Sequence, residues 1–326
     1  MTAIRSATLL IAAILLGVSF PASLVFGAAE IPLDVIIDAM LRFDSSNADH
    51  LVLYDFRFPR AVAALMVGAS LAVAGAIMQG MTRNPLASPS LMGLNAGSGL
   101  ALVIGLVFFP SIGFTGLVML SFLGAFLGVT LVYAIGASHT GGLGPVRLAL
   151  AGAAVSALLG AVTSIIVIYM AAAQDVLFYT AGGLQGVRWP QLALVLPWLA
   201  AGLVGAMVLS RAVTLLSLGN DVAAGLGANI WLARIGGVIV TLLLAGSSVA
   251  LAGGIGFVGL VVPHIVRMLL GPDYRWVIPG AALFGAILLV NADLAARMLN
   301  PPYETPVGLI TALIGVPFFL WLARRY

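Results

Sequence analysis

Long stretches without a single charged residue dominate this chain: 6–29, 61–82, 93–135, 148–174, 189–210, 235–266, 276–292 and 305–323. An uncharged run of about 20 residues is long enough to cross the hydrocarbon core of a bilayer as a helix. Only 8% of the 326 residues are charged and 62% are hydrophobic, so a water-soluble fold would have almost no wettable surface. Disorder is excluded for the same reason. The class is all-α and polytopic.

Two stretches need dividing. Pro110 and Gly113 split 93–135 into two spans. The stretch from 235 runs on to about 270 and breaks at Gly253, Gly254 and Gly256, leaving a short span over about 257–270. This gives about ten transmembrane helices. Charge placement orients them. With the N-terminus inside, nine arginines (5, 83, 147, 211, 234, 267, 275, 324 and 325) fall at cytoplasmic ends. Five (42, 57, 60, 188 and 297) fall outside, among nine acids that include Glu30, Asp55, Asp175, Asp293 and Glu304. Both termini are expected in the cytoplasm. Arg5, the apolar run and Gly27-Ala28-Ala29 resemble a signal peptide. That run is longer than the ~7–15 residues of a signal h-region, so a retained first helix is expected. Residues 30–58 form the first outer loop, in which Ile31, Val35, Ile36, Ala39, Met40 and Phe43 recur at helical spacing.

Gly68-Ala-Ser-Leu-Ala-Val-Ala-Gly75 resembles Gly246-Ser-Ser-Val-Ala-Leu-Ala-Gly253. The two segments lie on spans of opposite direction, so an inverted repeat of spans 2–5 and 7–10 follows, a common transporter plan. Gly68 with Ala72, and Gly124 with Gly128, have the spacing that lets helices approach closely in lipid.

Chemistry is sparse. The chain has no cysteine and no lysine. A phosphate-binding P-loop needs its lysine, so any ATPase that drives this chain is another polypeptide. His50, His139 and His264 are scattered and make no zinc pattern, so no metal site, cofactor or catalytic residue is expected. The span centres carry no ionisable group, which disfavours an ion-coupled carrier. Gln79, Ser156, Thr163, Ser164 and Asn291 either line a path or bond between helices. On the inner side, Arg83-Asn84-Pro85-Leu86-Ala87-Ser88-Pro89 forms a stiff turn. The longest inner connection, 211–234, holds Leu218-Gly219-Asn220-Asp221 and Leu226-Gly227, in which Asn220 or Asp221 caps a short helix ending at Gly225 or Gly227. Outside, Arg57, Arg60 and Arg297 form either a basic patch for acidic groups on a partner or pairs with Asp55 and Asp293.

Several ordered motifs resemble one family across essentially the whole chain. They are Arg57-Phe-Pro-Arg60, Gly75-Ala-Ile-Met-Gln79 followed by Arg83 to Pro89, Leu148 to Gly152, Gly219 to Gly227, Ile255 to His264, Ala292 to Arg297 and Pro306 to Gly315. The chain resembles a permease subunit of the ferric-siderophore, haem and vitamin B12 family of type II ABC importers. The resemblance implies a single permease domain over 1–326 that pairs with a second permease subunit, identical or paralogous. It implies two copies of a cytoplasmic ATPase, a periplasmic binding protein and a place in the bacterial inner membrane. It also implies that Arg57, Arg60 and Arg297 receive acidic residues of the binding protein. Leu218, Gly219, Asn220, Asp221, Leu226 and Gly227 would form the coupling segment seated in the ATPase. Asn84 and Leu86, with Pro85 and Gln79 beside them, would sit at the inner gate and path. Two stretches depart from the family pattern: Ala224 stands where a basic residue is usual, and Gly144-Pro145-Val146 replaces a polar gate, which argues against corrinoid cargo. Asn300-Pro-Pro-Tyr-Glu-Thr-Pro306 is similar to ferric-citrate-type permeases. An iron(III)-siderophore is the expected cargo, haem or vitamin B12 the alternatives, and an ion-coupled secondary transporter the rival class.

Overall fold

The computed structural model describes all residues except 1, 28–30, 91, 138–144, 171–175, 177–180, 302 and 325–326. Glu30, Asp175, Arg325, His139, Gly144 and the Ala28-Ala29 pair, all used above, lie outside the described residues. Every helix or strand among the described residues is helical. In chain order the helices are α1 (Thr2–Val25), α2 (Leu33–Leu41), α3 (Ala48–Val52), α4 (Phe58–Thr82), α5 (Leu94–Phe108), α6 (Phe114–Ala137) and α7 (Pro145–Tyr169). They continue with α8 (Trp189–Ser217), α9 (Asn220–Gly225), α10 (Ile230–Ala252), α11 (Val258–Leu270), α12 (Tyr274–Met298) and α13 (Val307–Ala323). A π-helical turn, Leu53–Arg57, joins α3 to α4.

Seven helices are long and apolar enough to cross a membrane, and α5, α11 and α13 are shorter apolar helices. Together they make the ten expected spans. The breaks fall where the sequence placed them. α5 stops at Phe108, just before Pro110, and α6 begins just after Gly113. α10 ends at Gly253, whose φ of +68° suits a residue without a side chain, and α11 starts at Val258.

Helix α4 is the axis of the bundle: most of its residues are buried, whereas α1 buries only Ala12, Ser23 and Leu24. It packs on α12, α10, α8 and α11. Backbone contact explains its composition. A Cβ on Gly75 would run into the carbonyl of Gly259 on α11, and one on Gly68 into the carbonyl of Gly285 on α12. In lipid, where apolar burial does not drive helices together, such close approach supplies the packing. The pair Gly97 and Gly124 joins α5 to α6 in the same way.

The inverted repeat is visible in the packing. Met81, at the end of α4, touches Gly237, near the start of α10, so the two helices run antiparallel. α4 packs on α12 and α11, and α10 packs on α6 and α5. These are the same neighbours when spans 2–5 are exchanged with spans 7–10.

The loop between α1 and α4 is built on His50. It is buried, its Nδ1 accepts the Asp44 backbone N–H at 3.1 Å, and its Nε2 lies 3.6 Å from Asp38. Hydrogen bonds from the Ser46 backbone and hydroxyl hold the Asp44 carboxyl below the usual carboxylate range. On α2, Ile36 faces the protein as expected, but Met40 is exposed, as are Leu33, Ile37 and Leu41; Phe43, two residues past its end, is exposed as well. The packing face of α2 is therefore narrower than its periodicity implied.

Candidate functional site

The C-terminal ends of α1 and α12 and the N-terminal end of α4 meet at a cluster of charges. Arg60 approaches both oxygens of Asp293, with Nε at 3.0 and 3.1 Å and Nη2 at 2.9 Å. Its Nη1 donates to Glu304 Oε1 at 2.8 Å. Arg297, one turn along α12 from Asp293, lies 3.2 Å from the second Asp293 oxygen. Asp293 is 1% exposed, Arg57 and Arg60 8%, and Arg297 7%.

The remaining donors of Arg57 and Arg297 go to the end of α1. Arg57 donates to the carbonyls of Leu24 and Val25. Arg297 donates to Ser23 at 2.9 Å and to Phe26 at 3.3 Å. A helix leaves its last four carbonyls without partners and carries partial negative charge there. No basic residue of α1 itself lies in its last turn, so these guanidiniums complete the cap from elsewhere in the chain.

The structure thus brings Arg57, Arg60 and Arg297 together, as their common outer position suggested, but inside the protein and not as an open basic patch. The carboxylates that Arg60 and Arg297 meet are Asp293 and Glu304; the proposed pairing with Asp55 is replaced by these. Sequence reasoning missed Glu304, because it lies 244 positions from Arg60 and no local pattern marks it.

On the opposite end, α8 stops at Ser217 and the chain turns at Gly219, with φ +118°. Helix α9 follows and ends at Gly225, as expected. Its cap is a correction: Gly219 is the N-cap, without a side-chain bond, and neither Asn220 nor Asp221 caps. Asn220 is already inside the helix, where its Oδ1 accepts from Arg234 at 3.1 Å. The capping side chain is Asn229, whose Oδ1 accepts the Leu232 N–H at the start of α10. Asn229→Ala should cost about 1 kcal/mol of stability in a thermal melt.

Ala223 anchors α9 against Leu216 and Ala233. Leu218, Val222 and Leu226 are exposed. The short helix buries Ala223 and exposes Val222, with Leu218 and Leu226 exposed on either side of it, so the segment presents a small apolar surface.

The turn after α4 adjoins this segment. Arg83 ends α4 in the left-handed region, with φ +52°, and its guanidinium lies against Gly219. Asn84 Oδ1 accepts the Leu86 N–H at 2.9 Å, an Asx turn that holds Pro85 in place. A shift of α9 would therefore be felt at Arg83. Nearby, Asp273 caps α12. Burial raises its carboxyl pKa, but bonds from Arg275 and Thr214 outweigh this and hold it below the ordinary value. This cap is complete at neutral pH and lost as acid protonates Asp273.

Gln79 is buried, and its amide nitrogen reaches the carbonyls of Gly259 and Leu260 at 3.3 Å. It sits in the contact between α4 and α11. Asn291 likewise bonds across to Ser19 of α1. Among the described residues, no group of three or more His, Asp or Glu side chains could hold a metal ion.

Comparison with known proteins places this geometry. The family model described as the FecCD transport family matches residues 13–325. The iron(3+)-hydroxamate import system permease protein FhuB of Bacillus subtilis (strain 168) is 50% identical over 93% of this chain and 79% of its own length. The Fe(3+)-citrate import system permease protein YfmD of the same organism is 46% identical over 92% and 89%. The hemin transport system permease protein HmuU of Yersinia pestis is 41% identical over 83% and 82%. Among solved structures, a metal-chelate type ABC transporter in an inward-facing conformation matches with a TM-score of 0.82 and 28% identity, over 98% of this chain and 99% of that one.

Proposed function

The chain belongs to the FecCD transport family, and from that premise we propose that it is the membrane permease subunit of an ABC importer for an iron(III) chelate. One observation carries this reading. The family match runs across all ten spans, yet the chain has no lysine and so no nucleotide-binding loop of its own. The path is in this chain and the energy comes from another.

Residues 1–326 act as one permease domain, and 211–234 is the coupling segment within it. Two copies of a cytoplasmic ATPase drive the complex, which contains a second permease subunit. A binding protein delivers cargo at the outer face. The chain lies in the inner (plasma) membrane with both termini in the cytoplasm, as the arginine count supports. A siderophore chelate is favoured over haem because the hydroxamate and citrate permeases are the more similar relatives.

At the inner face, the exposed Leu218, Val222 and Leu226 seat in the ATPase, and Arg83 passes motion to Asn84, Pro85 and Leu86 at the gate. At the outer face, Arg57, Arg60 and Arg297 receive acidic groups of the binding protein. Glu304, with a side chain 38% exposed, occupies Arg60 in the free subunit. A binding-protein carboxylate would take its place. Glu304→Gln should then tighten binding-protein association about threefold, read by surface plasmon resonance on the reconstituted complex.

The test is co-purification. The tagged chain, solubilised gently from its host, should elute with a stoichiometric ATPase identified by mass spectrometry. Leu218→Asp with Leu226→Asp should cut ATPase recovery at least tenfold while the permease stays monodisperse. A wild-type chain that elutes intact and alone under several mild detergents would contradict the proposal.

A further inference from the structure

In two of the ten spans the helix is shorter than the bilayer core. α5 has 15 residues and α11 has 13. At 1.5 Å per residue they span about 22 and 20 Å, against a hydrocarbon core of roughly 30 Å. Each therefore needs non-helical backbone at membrane depth to complete a crossing, and the backbone ahead of each is irregular. Gly93 has φ +76° before α5, and Gly253 and Phe257 have φ +68° and +67° before α11. Irregular backbone at that depth persists only where protein buries it or where it lines a polar cavity.

The two beginnings meet. Asn95, on the first turn of α5, donates its amide N–H to the carbonyl of Ile255 at 3.3 Å. Beside this contact lies a groove of about 420 Å³, lined by Asn95 and by Gly160, Thr163 and Ser164 of α7, with Gly254 and Gly256 of the turn before α11. That volume lies within the range of small-ligand sites, about 300–1,000 Å³. The Asn95 Oδ1 is buried with no hydrogen-bond partner among the described residues. The Thr163 and Ser164 hydroxyls donate to their own helix, at Leu159 and Gly160, and keep their lone pairs. None of the lining residues among those described carries a charge. The hydroxyls of α7 that the sequence left open between path and packing thus bond to no other helix among the hydrogen bonds of the described residues.

We infer that this groove touches the chelate in transit and sorts chelates by net charge, accepting those whose ligand shell cancels the charge of the iron. The inference rests on the iron-chelate importer reading and names the part of the path that reads the cargo. A bare ferric ion finds no anionic ligand here. A chelate with several net charges would leave water for an uncharged surface at membrane depth, which is costly without a partner charge. A neutral tris-hydroxamate presents only polar oxygens and apolar linkers, which hydroxyls, amides and glycine backbone can accommodate.

The experiment uses the whole complex, with its ATPase and binding protein, in proteoliposomes. Two radiolabelled iron(III) tris-hydroxamates are compared, one neutral and one carrying an appended succinate, each preloaded on the binding protein. Wild type should take up the neutral chelate at least fivefold faster per loaded binding protein. Ser164→Leu, which fills the groove at an exposed position, should lower uptake of both at least tenfold while ATPase recovery is unchanged. Ser164→Arg should shift the ratio at least tenfold toward the anionic chelate. Should Ser164→Leu fail to assemble, Gly160→Leu carries the same test, because nothing lies within 4 Å of a Cβ placed there. Wild-type uptake of both chelates by assembled variants would overturn the groove's role. Equal wild-type rates, or an unshifted ratio in Ser164→Arg, would overturn the charge sorting. If the assembled wild-type complex takes up neither chelate, the iron-chelate reading itself falls, and this inference with it.

Discussion

Asp293→Ala should cost the protein about 3–5 kcal/mol, the usual penalty for removing one partner of a buried ion pair, and with it most of the folded fraction after solubilisation. The reason is geometric. Asp293 stands between Arg60 and Arg297, and all three side chains are at most 10% exposed. Removing the carboxylate leaves two buried guanidiniums facing each other. Arg60→Ala should cost less, because Arg297 continues to compensate Asp293. The double variant should cost less than the sum of the singles, with a coupling of about 2 kcal/mol in thermal melts of the detergent-solubilised chain. Wild-type stability of Asp293→Ala would mean that the cluster is open to water. The same geometry changes how docking is tested. Arg60→Glu would set three carboxylates together, so loss of uptake in that variant would report unfolding. Glu304→Gln leaves the buried pairs intact and reads docking alone.

The second large effect is at Gly75. In an isolated helix Gly→Ala is stabilising by about 1 kcal/mol. Here the added methyl meets the backbone carbonyl of Gly259, which cannot rotate away, so Gly75→Ala should destabilise by about 1–3 kcal/mol, as overpacking does. Gly17→Ala on α1 is the control. Nothing lies within 4 Å of its new Cβ, so it should raise the melting temperature. Opposite signs for the same substitution separate helix packing from helix propensity. Equal signs would mean that α4 and α11 do not touch.

The spans were legible in the sequence because uncharged length and Gly or Pro breaks are local signals, read without knowing any neighbour. Pro110, Gly113 and Gly253 mark helix ends in the structure for that reason. The repeat was legible at Gly68–Gly75 and Gly246–Gly253 because small residues recur where helices pack or end: Gly68 and Gly75 meet a neighbouring backbone, Gly246 meets the Phe122 ring, and Gly253 takes the positive φ that ends α10. The outer cluster was half legible. The position of Arg57, Arg60 and Arg297 on one end followed from topology. Their burial did not, since it depends on Glu304 and on the carbonyls of Ser23 to Phe26, which come together only in the fold. Asn220 was misread because Gly219, with its positive φ, starts the helix one residue earlier. Asn95 gave no signal, because a lone amide in an apolar span acquires meaning only from the turn at Ile255 that it meets.

On the importer reading, this chain is a path powered by a separate ATPase. Iron-chelate uptake into proteoliposomes containing the purified complex tests it most directly, with ATP inside or outside the compartment that the ATPase faces, and with or without proton and sodium gradients. Uptake that requires ATP and the binding protein, and is indifferent to both gradients, is the expected result. Uptake by this chain alone, driven by a gradient without ATP, would contradict the account and make the chain a secondary carrier.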